Sequence, residues 1–113
     1  MENIFQSYVG LGYVQGRIPT SGSDLNNFIT PGIYTSTSGT AEISNLPPGS
    51  DKAGKLIVSD IMGTSNDAAT SSYRYLRQVW QNYNTYQYLY IRVGHTGYGT
   101  TVNWQTWKTI TAT

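Results

Sequence analysis

The chain has 113 residues, of which 12% are charged, and its formal net charge is +1. This length fits one domain with a modest core. The near-neutral charge predicts no nucleic-acid partner, because such partners require clustered basic residues. Ten tyrosines and three tryptophans exclude a typical disordered composition and favour a folded, β-rich domain.

Cysteine is absent, so the sequence excludes disulfides and thiolate metal sites. The longest apolar runs are far shorter than a membrane span, which predicts no membrane insertion. The N-terminus lacks the basic and apolar regions of a signal peptide. We expect no cofactor: the glycines of GLGYVQG (residues 10–16) do not have the spacing of a dinucleotide-binding fingerprint.

The beginning of the chain shows no sustained hydrophobic period and ends in glycine, serine, proline and threonine. We therefore interpret residues 1–23 as an N-terminal arm or linker, which leads into a domain at residues 24–113. The apolar side chains of the arm are Ile4, Phe5, Tyr8, Val9 and Leu11. We expect them to pack against neighbouring copies of the chain.

One short helical turn is predicted at the start of the domain. Asp24 (or Ser23) can cap this turn by accepting a hydrogen bond from a backbone N–H. Pro31 disfavours the α conformation in the residue before it and so ends the turn. Gly32 is expected to permit an unusual backbone angle before the strand-like segment IYTST, residues 33–37.

The middle of the chain alternates between strand signals and loop signals. Residues 41–61 are predicted to form a short strand, a loop that contains Pro47 and Pro48, and a second strand that begins at Lys55. Residues 62–72 have the composition of a loop. The segment 73–82 fits both a helical stripe and a strand, and its aromatic and β-branched residues favour the strand.

A turn at NYNTYQ (82–87) is predicted to lead into the strand YLYIRV (88–93), in which successive side chains face opposite sides of a sheet. The segment TVNWQTWKTI (101–110) is the predicted last strand. Trp104 and Trp107 are three residues apart within it, so both rings can share one core only if a bulge or tight turn separates them. The whole pattern predicts a mainly β fold: a small antiparallel β-sheet knob with one short N-terminal helical turn.

Catalytic residue patterns are weak. His95 is the only histidine, which excludes a multi-histidine metal site, and its glycine-rich surroundings predict an exposed loop. A glycosidase needs two carboxylates that flank one cleft. The sequence leaves such a pair open among its six acids, but several have loop or capping positions. We therefore predict that the protein is not an enzyme and holds no metal ion.

Aromatic residues near the predicted turns indicate a binding surface. Tyrosine rings can pack on the C–H faces of sugars, while neighbouring amides and hydroxyls bond to the sugar hydroxyls. Candidate ligand-binding residues are Tyr83, Asn84, Tyr86 and Tyr98, because binding residues are concentrated in loops. The alternative is that these tyrosines pack on the sheet or at a subunit interface.

Six segments, taken in chain order, resemble the pyocin-knob domain of the tail fibres of bacteriophages and of phage-tail-like bacteriocins. They are DLNNFITPGIY, ISNLPPG, GKLIVSD, RQVWQNY, LYIRVG and WQTWKTI. The resemblance covers about residues 24–110, and the loop NLPPGSDK and the segment TSSYRYLRQVWQNYNTYQ are less typical of the family. The matching residues are Asp24, Leu25, Asn26, Pro31, Gly32, Tyr34, Pro47, Gln78, Arg92, Trp104 and Trp107.

The resemblance implies a knob on a trimeric fibre of a virion (tail fibre, baseplate or head fibre), made in the cytoplasm of the bacterial host. Its expected role is attachment to the host surface, and we expect it to recognise a surface glycan. The expected partners are copies of itself, other virion proteins that contact the arm, and that glycan. The alternatives are a structural or trimerisation knob that binds no receptor and, third, a glycan depolymerase.

The same resemblance gives a set of residues a structural role rather than a ligand-binding one. These signature residues are Asp24, Gly32, Tyr34, Arg92, Trp104 and Trp107. Arg92 is expected to lie on one of the two indole faces, where a cation–π contact would stabilise a partly buried charge.

Overall fold

A computed structural model gives the fold, and the structure describes residues 14–62, 74–85, 87–96 and 101–111. Nine strands and one 3-10 turn lie within these residues. In chain order they are β1 (Val14–Arg17), β2 (Ser23–Asp24), the 3-10 turn (Leu25–Asn27), β3 (Gly32–Ser36), β4 (Ile43–Ser44), β5 (Gly54–Met62), β6 (Tyr75–Asn82), β7 (Tyr88–His95), β8 (Asn103–Trp104) and β9 (Lys108–Thr111).

The main sheet has the strand order β1-β3-β5-β6-β7-β8, and β9 pairs with β7 beside β8. Its pairs are antiparallel except for β1 and β3, which are parallel. Strands β2 and β4 form a separate parallel pair. The predicted mainly β fold is therefore confirmed, although the sheet is mixed rather than purely antiparallel.

The start of the folded region differs from the predicted boundary at residue 24. Strand β1 belongs to the main sheet, and the Ile18 N–H donates to the Thr35 carbonyl at 2.8 Å. The Ile18 side chain is only 2% exposed and lies in the core. Residues 14–23 are therefore part of the domain and not of an arm. The apolar arm residues that precede β1 lie outside the described residues.

The predicted helical turn is present, and Asp24 caps it as expected. The Asn26 N–H donates to Asp24 Oδ1 at 2.9 Å, and the Asn45 side-chain amide donates to the same oxygen at 2.7 Å. The turn ends before Pro31, and its first residue, Leu25, is fully buried. One carboxylate thus fixes the turn to the loop that follows β4.

The core lies between one face of the main sheet and the segments that carry the 3-10 turn and the small sheet. Side chains alternate along each strand, so every second residue points into this core. Buried residues contributed by the sheet are Tyr34, Leu56, Val58, Leu76, Trp80 and Tyr90. The residues that cover them are Ile18 and Leu25, with partly buried Phe28, Ile43 and Leu46.

Gly32 is needed for a different reason from the one that the sequence suggested. Among the described glycines only Gly22 and Gly49 have a positive φ, so Gly32 does not adopt an unusual backbone angle. A Cβ atom at Gly32 would instead collide with the Val14 carbonyl oxygen and lie 3.1 Å from the Tyr34 hydroxyl. Glycine is required here because β1 approaches β3 closely.

The predicted last strand is two strands, β8 and β9, separated by residues 105–107. Both strands pair with β7, and the Gln105 N–H donates to the Val93 carbonyl at 2.8 Å between them. The predicted interruption between Trp104 and Trp107 is therefore present, and it allows both rings to lie on the same side of the sheet. Trp107 itself precedes β9 rather than lying within a strand.

Arg92 contacts both indoles, not one. Its guanidinium carbon is 4.4 Å from the ring centroid of Trp104 and 4.5 Å from that of Trp107. The ring of Trp104 packs closely on β7 at Gly94, where a Cβ atom would lie 2.6 Å from Trp104 Cε3. We call Arg92, Trp104 and Trp107 the arginine–tryptophan cluster.

Each indole N–H of the cluster also bonds to the N-terminal half of the domain. Trp104 donates to the Asn26 carbonyl at 3.3 Å, and Trp107 donates to the Asn45 carbonyl at 3.0 Å. The end of the chain is thereby attached to the 3-10 turn and to the loop after β4. Both tryptophans thus make their hydrogen bonds within the fold.

A buried glutamine connects this cluster to the core. Gln78 is fully buried, donates to the Leu25 and Phe28 carbonyls at 2.7 and 3.0 Å, and accepts from Arg92 Nε at 2.9 Å. Burial lowers the pKa of Arg92 to about 10, although the nearby charge of Asp24 opposes the shift. This pKa is well above neutral pH, so Arg92 stays charged and its contact with Gln78 is charge-assisted.

We expect Gln78→Met to reduce the free energy of unfolding by about 2–4 kcal/mol. Methionine fills a similar volume but leaves two buried carbonyls and the Arg92 Nε–H without their partner. Urea denaturation measures the change. Gln81→Met, at an exposed position of the same strand, is the matched control and should shift stability by no more than about 0.5 kcal/mol. Equal stability of the two variants would contradict the assignment.

Candidate functional site

An open cleft of about 480 Å³ lies at one end of the main sheet. The register pairs Ser36 with Gly54 and Gly54 with Asn82, so the end of β3, the start of β5 and the end of β6 meet at this edge. Residues that line the cleft include Thr35, Thr37, Gly39, Lys55, Tyr83 and Asn84. The lining thus combines hydroxyls, an amide, a cation and one aromatic ring with the small residues Ala53 and Gly54, and most of its surface is apolar.

Tyr83 and Asn84 lie in the turn that follows β6. The Tyr83 side chain is 73% exposed, and Asn84 is exposed beside it. The Tyr83 N–H donates to the Ala53 carbonyl at 3.1 Å, which attaches this turn to the start of β5. An exposed aromatic ring with a fixed backbone can serve as a stacking surface for a ligand.

Asp51 fixes the same turn from the opposite side. Its Oδ2 accepts from the Asn84 N–H at 2.8 Å, from the Thr85 N–H at 3.2 Å and from the Thr85 hydroxyl at 3.4 Å. A carboxylate that accepts several hydrogen bonds from one turn restricts the conformations of that turn. The backbone that carries the aromatic and amide groups of the cleft is therefore held in place before any ligand arrives.

Asn82 links this turn to the core. Its Oδ1 accepts from the Asp51 N–H at 2.9 Å and from the indole N–H of buried Trp80 at 3.1 Å. Its amide nitrogen donates to the Thr85 hydroxyl. The turn is connected through Asn82 to one of the most buried side chains of the domain.

The structure brings together two of the four predicted ligand-binding residues, Tyr83 and Asn84. Tyr86 and Tyr98 lie outside the described residues. Sequence reasoning missed Thr35, Thr37 and Lys55, which reach the cleft only through strand register, and Asp51, whose role depends on a loop far away in sequence. The signature residues do not line the cleft.

The described acids have ordinary structural surroundings. Asp24 caps the 3-10 turn, Asp51 holds the turn after β6, and Asp60 forms an ion pair of 2.8 Å with buried Arg74. Glu42 is exposed. Glu2 and Asp67 lie outside the described residues.

His95 is not in an exposed loop as predicted. It is the last residue of β7 and is partly buried, and its ring stacks on Tyr75 at a centroid distance of 4.3 Å. Within the described part of the chain, no three histidine, cysteine or acidic side chains are placed to hold a metal ion. Those same residues include no helix that is long and apolar enough to cross a membrane.

No family model, curated protein or solved structure matches this chain at a significant level. The fold and the cleft define a small mixed β domain with an open surface cleft that holds one exposed tyrosine.

We expect Asp51→Ala to accelerate hydrogen exchange at the Asn84 and Thr85 amides, because both amides lose their acceptor. Exchange measured by NMR on the intact chain tests this. Glu42→Ala, at an exposed acid outside the turn, should leave both rates unchanged. Unchanged rates in the Asp51 variant would mean that the backbone alone holds the turn.

Proposed function

We propose that this chain is a non-enzymatic domain of a virion appendage of the tail-fibre type. In this proposal it attaches a phage or phage-tail-like particle to the bacterial host surface by binding a surface glycan. The observation that carries the proposal is the exposed Tyr83–Asn84 turn, which lines the open cleft and is held by Asp51. The ordered motifs that resemble the pyocin-knob domain support the virion assignment.

The chemistry of the cleft suits a sugar. The Tyr83 ring offers an apolar surface for the C–H face of a pyranose, and the amide of Asn84 can both donate to and accept from hydroxyls. Thr35 and Thr37 add hydroxyls to the lining. The volume of about 480 Å³ falls within the range of small-molecule sites, and a short saccharide fits that range.

The surroundings of the acids support a binding role rather than hydrolysis. A glycosidase needs one carboxyl group to donate a proton and a second to act on the sugar or on a water molecule. Asp24, Asp51 and Asp60 are each engaged with backbone groups or with a cation. Asp51, the acid nearest the Tyr83 turn, uses Oδ2 to hold that turn.

A structural knob without receptor binding is the second candidate, and one observation favours it. The signature residues lie away from the cleft and make contacts within the fold, as in the arginine–tryptophan cluster. A domain whose family signature serves only stability can act as a spacer or a cap of a fibre. The two candidates differ in whether the cleft binds anything.

We expect Tyr83→Ala and Asn84→Ala each to weaken glycan binding about tenfold without changing the melting temperature, because a stacking or hydrogen-bonding contact contributes about 1 kcal/mol or more. A glycan array identifies the ligand, and calorimetry with that ligand measures affinity. Asn27→Ala, at an exposed asparagine outside the cleft, is the matched control.

Two outcomes would contradict this proposal. Repeated absence of any array hit with the parent chain favours the structural knob. Release of shorter products from a bound polysaccharide would overturn both non-enzymatic candidates and favour a depolymerase.

We also propose that the chain self-associates as a trimer and contacts other virion proteins through residues 1–13, which lie outside the described residues. The low charge content of the chain supports self-association, because few charged groups protect its surface. Light scattering over a dilution series should give the trimer mass. A monomer mass at every concentration of the intact chain would contradict this prediction.

A further inference from the structure

The face of the main sheet opposite the core, which we call the outer face, carries more than half of the lysines and arginines of the chain. Strand pairing places Arg17, Lys55, Arg77 and Lys108 on it, and all four side chains are exposed. These are four of the seven lysines and arginines in a chain whose formal net charge is +1.

Carboxylates are absent from the outer face within the described part of the chain. Asp60 pairs in register with buried Leu76 and binds Arg74, which places it toward the core side. Asp24 caps the 3-10 turn, Asp51 binds the turn after β6, and Glu42 precedes β4. Among the described residues, the outer face therefore carries four positive charges and no negative charge. Such a surface attracts an anionic partner.

The outer face is continuous with the cleft. One row across the sheet pairs Arg17 with Thr35, Thr35 with Lys55 and Lys55 with Gln81. Thr35 and Lys55 also line the cleft. A ligand that leaves the cleft along this row therefore meets cations, a hydroxyl and an amide in succession.

A second row gives the outer face an apolar band. Ile33, Ile57, Val79 and Ile91 are cross-strand partners, and each is partly buried. The band is bordered by Lys55, Arg77 and Lys108. Such a surface can pack on the C–H groups of a polymer while the surrounding cations bind its charges.

The cations are spread out rather than clustered. Arg17 and Lys55 are two strands apart, roughly 10 Å at the usual strand spacing. Arg77 pairs with Ser59, four residues beyond Lys55, which is roughly 13 Å along the strand. Spaced charges suit a polymer that carries one negative group at intervals. A second copy of the same face is disfavoured, because like charges would meet.

We propose that the outer face binds an anionic polysaccharide, with charged sugar units lying on the four cations and one unit held in the Tyr83 cleft. This proposal rests on the proposed function and narrows its ligand to acidic glycans. It gives Lys55 a double role, because this residue belongs both to the cleft and to the charged row.

The test compares oligogalacturonates with their methyl esters, which have the same sugar backbone without the charge. Calorimetry on the intact chain at low salt should show the acid binding about tenfold more tightly, since several exposed ion pairs, each weak alone, act together. Added salt should reduce this preference, because exposed charges are screened.

The triple variant Arg17→Gln, Arg77→Gln, Lys108→Gln changes only cations outside the cleft. It should bind the methyl ester like the parent but lose most of the preference for the acid. Lys52→Gln, which removes an exposed cation that lies beside Ile43 and Ser44 of the small sheet, should keep the preference. Thermal melting confirms that each variant is folded.

Several results would overturn the inference. Equal affinity of the parent for acid and ester, or no binding of the acid, would show that the outer face does not bind an anionic polysaccharide. The cleft could then still bind a neutral glycan found on the array. Tighter binding of poly-L-glutamate or of duplex DNA than of the acid would assign the face to a protein or a nucleic acid instead. A triple variant that keeps the full preference would place acid recognition elsewhere.

Discussion

The fold depends on a guanidinium that is buried with no carboxylate of the described residues in contact. Arg92 is 6% exposed, and it meets an amide oxygen of Gln78 and the faces of two indoles. Burying a charge is costly unless every partner is in place, and the lowered pKa of Arg92 reflects that cost. The 3-10 turn, β6, β7 and the end of the chain must therefore all be assembled together for the charge to be accommodated.

Local features of the fold were predictable because their causes are local. Asp24 caps a turn two residues away, and alternate residues of β7 separate a core face from an outer face. The interruption between Trp104 and Trp107 also followed from strand geometry. The exposure of Tyr83 and Asn84 was predictable as well, because both lie in a turn that follows a strand.

The features that sequence reasoning missed depend on pairing between distant segments. Strand β1 is short, contains Gly16 and gains its position only by parallel pairing with β3. Gly32 is required by the backbone of β1, not by its own conformation. Asp51 binds the turn at Asn84, which is 33 residues further along. A periodic pattern in the sequence does not predict such contacts. It also does not predict that four cations share the outer face, because that depends on strand register.

The indole hydrogen bonds have a consequence for folding kinetics. Trp104 bonds to a residue 78 positions earlier, Trp107 to one 62 positions earlier, and Gln78 to one 53 positions earlier. Contacts of such long sequence separation slow the search for the native state, since the loops that they close lose entropy before the contacts form. During synthesis the N-terminal turn and the central strands leave the ribosome long before the two tryptophans. Until those residues emerge, Arg92 lacks both indoles, so the domain cannot complete its core before the segment 104–107 has left the ribosome.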